Sequence, residues 1–81
     1  LVLVQGTSWA VALRYDPRTM SAPVVVAKGS GDAAAKILRT AEQAKIHVAQ
    51  EPSLAATIAR QTSVGAAIAA EHYRAIAELI R

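Results

Sequence analysis

Few residues in this sequence have the type and spacing to do chemistry. Ser8 follows Gly6 and Thr7 at the rim of an apolar run, where a serine nucleophile could sit. Gly-Thr-Ser-Trp-Ala, however, lacks the Gly-x-Ser-x-Gly pattern of a strand-to-helix nucleophile elbow. His47 and His72 are the only histidines and stand 25 residues apart, with no second histidine or cysteine three or four positions from either. That spacing does not build a zinc site. Lys28-Gly29-Ser30-Gly31-Asp32 falls between a β-branched run and a helical pattern, where free N–H groups can hold a phosphate. The Lys-Ser/Thr of a P-loop and the third glycine of a dinucleotide fingerprint are both missing. A tight turn explains these glycines without a ligand. One oddity is left: Gln5-Gly6-Thr7-Ser8, a polar insert between the apolar runs Leu1–Val4 and Trp9–Leu13.

The elements that position these residues are readable. The chain has 81 residues, 53% hydrophobic and 19% charged, which suits one small folded domain over residues 1–81. Its aromatics are Trp9, Tyr15 and Tyr73, so the core should be Val, Leu and Ile with close-packed alanine helices. The sequence contains no cysteine, which excludes disulfides and thiolate metal ligands. No apolar run reaches the roughly 20 residues of a membrane span, and no signal-peptide pattern opens the chain. A start at Leu1 is read as that of a fragment. Of the net charge of +3, all lies in residues 1–48, where six basic residues face three acidic ones. The basic residues lack the interleaved aromatics that stack bases, so a nucleic-acid module is not indicated.

Leu1–Val4 and the alternating Trp9–Tyr15 read as strands, with Asp16–Pro23 as a proline-bounded loop. Val24–Lys28 reads as a central strand buried on both faces. Ser30 or Asp32 would cap a helix whose inner face is Ala34, Ile37, Leu38, Ala41 and Ala44. Lys45–Gln50 would be a fourth strand, with Ile46 and Val48 on one side. Pro52 opens a second helix with Leu54, Ala55, Ile58 and Ala59 inward. After a break at Gln61–Gly65, Tyr73, Ile76, Ala77 and Ile80 mark the face of a third. The fold class is α/β: one sheet of about four strands packed by three to four helices. Its Val24–Gln50 crossover should make its two strands parallel.

Several blocks in order resemble the C-terminal cytoplasmic domain of the FlhB/YscU family, the export-switch proteins of flagellar and injectisome type III secretion systems. They are Ser8–Asp16 (SWAVALRYD), Ala22–Gly29 (APVVVAKG), Ala33–Ala59 and Ser63–Ile80. Together they cover the chain almost end to end. Family members carry Asn-Pro-Thr-His in the loop and cut themselves between Asn and Pro. The Asn side-chain amide attacks its own backbone carbonyl, closes a five-membered imide and releases the next nitrogen. Proximity within one residue supplies much of that rate.

Here the loop equivalents are Gln5, Gly6, Thr7 and Ser8, of which only Thr7 matches. Gln5 would need a six-membered ring, Gly6 removes proline's restriction on its neighbour, and Ser8 replaces an imidazole. The resemblance therefore implies a domain that no longer cleaves itself and is not an enzyme. The rival readings are a loop still active at Gln5–Gly6 and a generic α/β adaptor. The resemblance further implies a place on the cytoplasmic face of the bacterial inner membrane, with membrane helices upstream. Expected partners are other export-gate proteins and secreted substrates. No cofactor, metal or nucleic acid is expected. Trp9 is the candidate partner anchor, and Arg14, Arg18 and Lys28 would add a basic face.

Overall fold

Apolar residues on both faces of the first two strands create a sheet with two buried faces, and the helices divide between them. The computed structural model describes residues 1–6 and 8–80. Its elements are β1 (Val2–Gln5), β2 (Trp9–Arg14), β3 (Val24–Ser30), α1 (Asp32–Gln43), β4 (Val48–Gln50), α2 (Pro52–Gln61) and α3 (Tyr73–Ile80), with a 3₁₀ turn at Ala70–His72. The strand order is β3-β2-β1-β4. β1 and β3 are antiparallel to β2, and β4 is parallel to β1. The α/β class and the parallel sense of β3 and β4 match the sequence reading, although two strands lie between that pair.

On one face, Val2, Val4 and Ala10 pack under Ala34 and Ala41 of α1. On the other, Leu3, Val11, Leu13 and Val25 meet Ala55, Ile58 and Ala59 of α2 together with Ile68 and Ile76. Full burial of an aliphatic side chain of this size contributes about 1.5–3 kcal/mol. The alanines let α1 approach closely. A Cβ on Gly29 would stand 2.5 Å from the Ala33 methyl, so a bare glycine is what permits the tight passage from β3 into α1. The glycines of the Lys28–Asp32 stretch thus serve the turn.

Four sequence expectations are corrected. Val24–Lys28 is not central: β3 is an edge strand, and a bulge opposite Ala12/Leu13 leaves Val26 48% exposed. A continuous β-branched run does not distinguish burial on two faces from one face plus a bulge. Neither Ser30 nor Asp32 caps α1; Gly31 occupies that position without a side-chain cap, and Asp32 sits in the first turn, where a carboxylate favours the helix dipole. The fourth strand begins only at Val48, because the amides of Lys45 and Ile46 close the end of α1 by bonding back to its last turn. Of the α3 stripe only Ile76 is buried, whereas Tyr73 and Ile80 remain exposed.

The end of α1 explains the misread Ile46. Its amide donates to the Ala41 carbonyl at 2.8 Å, and the Lys45 amide to Glu42 at 3.2 Å. This is a Schellman-type ending, in which the residue after the left-handed one returns an apolar contact to the helix. Lys45 holds the left-handed position at φ +57, usually a glycine's. Lys45→Gly should therefore stabilise the chain by about 0.5–1 kcal/mol, read as a higher urea midpoint at an unchanged slope.

Candidate functional site

The polar insert closes the β1–β2 hairpin. Gln5 pairs with Trp9 in the ladder, and the Ser8 amide donates to the Gln5 carbonyl at 3.0 Å. Between them Gly6 stands at φ +55, with nothing near the position of an added Cβ. Hairpin turns favour a positive φ at this point because it matches the twist of the strands. Proline, locked near −65°, cannot adopt it. Thr7, the one loop equivalent that matches the family pattern, lies outside the described residues.

The loop stands against α2. Gln5 shares one hollow of about 300 Å³ with Pro52, Ser53 and Thr57, and another of about 400 Å³ with Trp9, Ala56 and Arg60. Trp9 is half-buried and packs against the α2-side core, keeping one edge at the surface. So Gln5, Gly6, Ser8 and Trp9 are brought together at one end of the sheet.

The histidines are elsewhere. The His47 carbonyl accepts from the Val2 amide, at the opposite end of β1 from the loop. His72 lies on the 3₁₀ turn ahead of α3 and is half-buried, with Nε2 3.0 Å from Gln61 Oε1. It precedes the last helix rather than lying on it. Among the described residues, no group of three or more His, Cys, Asp or Glu could hold a metal ion.

The three basic residues do not form one face. Lys28 reaches the α2 side, where its ammonium donates to the Ala59 and Thr62 carbonyls, both at 2.8 Å. These are carbonyls at the C-terminus of α2, which has no further turn to satisfy them. A cation at the negative end of the helix dipole adds to the effect. Arg14 is exposed and, by strand alternation, lies with Ala10 and Ala12 on the α1 side. Arg18 lies in the exposed loop, where its amide and guanidinium both donate to Asp16 Oδ1, at 2.9 and 3.4 Å. The Arg18 amide, with help from the guanidinium, holds the Asp16 carboxyl below the usual range. This local support exists above the ordinary carboxylate pKa and is lost as pH falls through the lowered one. Lys28→Met keeps the alkyl stem and removes the charge. It should cost about 1–2 kcal/mol in a denaturant melt, since it leaves two helix carbonyls unpaired.

Sequence reasoning missed one surface. Tyr15, Pro23, Tyr73, Ala77 and Ile80 line an apolar cleft of about 140 Å³ beside α3. The signal was present in the α3 stripe, which is too long for the one buried position it supplies.

Comparison with known proteins decides the family. The model of the FlhB HrpN YscU SpaS family matches residues 1–81. The chain belongs to this family. It is 42% identical over 80 residues to the flagellar biosynthetic protein FlhB of Aquifex aeolicus, covering 99% of this chain and 23% of that protein. It is 38% identical to FlhB of Escherichia coli over 99% of this chain and 21% of the relative. The chain thus spans between a fifth and a quarter of the length of these relatives. Among solved structures, the cytoplasmic domain of FlhB from Shewanella putrefaciens superposes with a TM-score of 0.91 at 33% identity, over 98% of this chain and 60% of that one. A proline-to-alanine variant of the EscU C-terminal domain gives 0.93 at 26% identity, over 99% and 79%. The FlhB-type fold therefore includes both strands that flank the loop. Among the described residues, no helix is long and apolar enough to cross a membrane.

Proposed function

We propose that residues 1–81 form one cytoplasmic domain of a type III export apparatus protein, flagellar or injectisome, and that the domain works without cutting itself. It would sit below the inner membrane, joined to membrane helices upstream, and contact other export-gate proteins and secreted substrates. The family match and the FlhB relatives support the export role. The observation that carries the uncut reading is Gly6 at φ +55 within a hydrogen-bonded turn. Self-cleavage in the family, as the resemblance describes it, uses an Asn whose own amide closes a five-membered ring ahead of a proline. In this chain Gln5 offers a longer arm, and the turn after it is one that a proline could not form. The loop then serves as a fixed hairpin, and the domain as a component held in one export state.

We assign two contact areas: the loop end with Trp9 and, at the other end of β2, the exposed Arg14 with Arg18. Lys28 belongs to them only through the α2 terminus it holds in place. An aromatic with one buried edge and one free edge is a suitable anchor.

Co-purification of the full-length membrane protein with the other export-gate components tests this reading. The unaltered protein should retain them. Arg14→Glu, which touches no core, should weaken that retention about tenfold and make it more salt-sensitive. A full-length protein that retains no gate component would leave only the generic adaptor reading.

A further inference from the structure

α1 does not cover its whole side of the sheet. Ala12 and Ala27, register partners on β2 and β3, form the floor of a groove of about 410 Å³. Its walls are Val26, Ile37 and Ile46, and Lys36 stands at the lip. Two alanine methyls opposite each other leave the space of a larger side chain that this chain does not itself supply. The exposed parts of Val26 and Ile46, 48% and 41% of their surfaces, belong to these walls. The bulge explains why Val26 is displaced and the helix ending why Ile46 turns back, but neither fills the groove.

The one charged residue that lines the groove is Lys36. No carboxylate lines the groove. Lys36 makes no ion pair among the described residues. Arg14 follows Ala12 on the same side of β2 and is exposed. The two carboxylates of α1, Asp32 one turn before Lys36 and Glu42 beside Ala41, do not line the groove. An apolar floor with a cationic lip complements a bulky apolar side chain flanked by carboxylates. A second copy of this chain fits poorly, because a two-fold contact would set Lys36 and Arg14 against their own equivalents.

We propose that the groove between α1 and the bulged part of β3 is a docking site for an acidic peptide segment carrying one bulky apolar anchor. The anchor side chain enters over Ala12 and Ala27, and its acidic neighbours face Lys36 and Arg14. This site is separate from the loop end, shares only Arg14 with the contact areas assigned above, and does not depend on the export reading.

The probe is a fluorescein-labelled peptide with one central Leu between runs of Glu, titrated into the isolated domain and followed by anisotropy. Similar domains have been crystallised in isolation. Saturable binding is expected, weakening as salt rises. Replacing Leu by Ala in the peptide, or introducing Val26→Asp or Lys36→Glu, should each weaken it at least about tenfold. A peptide with Lys in place of Glu should bind the unaltered domain no better than background and should gain affinity for Lys36→Glu. Amide shifts on binding should centre on Ala27, Ile37 and Ile46. Indifference to the anchor or to Lys36→Glu, or shifts centred elsewhere, would overturn the proposal. So would self-association abolished by Val26→Asp, which gives the groove to a second copy. Capture of phosphatidylglycerol vesicles with no peptide binding would do the same by giving it to lipid.

Discussion

The triple substitution Gln5→Asn, Gly6→Pro, Ser8→His should turn an uncut chain into one that splits between positions 5 and 6. Each change supplies one physical requirement. Asn at position 5 shortens the arm, so its amide nitrogen can close a five-membered ring on its own carbonyl carbon. Nucleophile and carbonyl then belong to one residue, the regime in which effective concentrations reach about 10⁵ M and above. As that bond forms, the bond to the nitrogen of residue 6 breaks, and that nitrogen leaves carrying a proton. Pro at position 6 has no N–H, so the competing attack by the backbone nitrogen on the side chain is closed. It also rebuilds the turn, because φ must move from +55 to near −65°. His at position 8 adds a group able to move the proton at neutral pH.

The frame around the loop should tolerate this. Position 5 is pinned by its ladder pairing with Trp9, and the fold superposes on the FlhB cytoplasmic domain with a TM-score of 0.91. The single change Gln5→Asn should behave differently. With a glycine, not a proline, still at position 6, the backbone nitrogen can lose its proton, attack the side-chain amide carbon and expel ammonia. Slow conversion of amide to acid without chain cleavage is then expected. Mass spectrometry of both variants after equal incubation distinguishes the outcomes. A triple variant that folds and stays whole would move the cause of lost cleavage away from the loop.

Ile58→Ala should destabilise the domain far more than a truncation at its surface. Ile58 is fully buried between α2 and the sheet, in the cluster that includes Leu3, Val11 and Ile76. Removing its outer carbons leaves a cavity that rigid strands cannot close, at a cost of about 2–5 kcal/mol. A chain of 81 residues has a total stability of about 4–12 kcal/mol, so the variant should be largely unfolded in moderate urea. Ile46→Ala is the matched control. It removes the same atoms from a residue that is 41% exposed, and should cost less than about 1 kcal/mol. Equal urea midpoints for the two would contradict the division of the side chains between core and surface.

Much of this architecture was legible because it rests on local patterns. A continuous apolar run marked β1, alternation marked β2, Pro52 marked the start of α2, and the Ala34/Ala41 spacing marked the face of α1. The failures share a cause: each depends on where an element stands relative to others. Three valines in a row do not show that β3 lies at an edge, since edge position is set by strand order. Ile46 alternates with Val48 as a strand would, but the Ala41 carbonyl claims its amide. Lys28 reads as a free surface charge until α2 delivers two carbonyls to it. The loop was the reverse case. Its chemistry was visible only through resemblance, and the backbone then added what the letters could not, that Gly6 occupies a conformation closed to proline.

The measurement that tests the central claim most directly is the intact mass, under denaturing conditions, of a form of this protein extended upstream of Leu1. An uncut export domain predicts one full-length species, unchanged on prolonged incubation. Two species whose masses sum to the whole and divide after Gln5 would contradict it. They would show that this fold drives ring closure through the longer side chain and past a glycine.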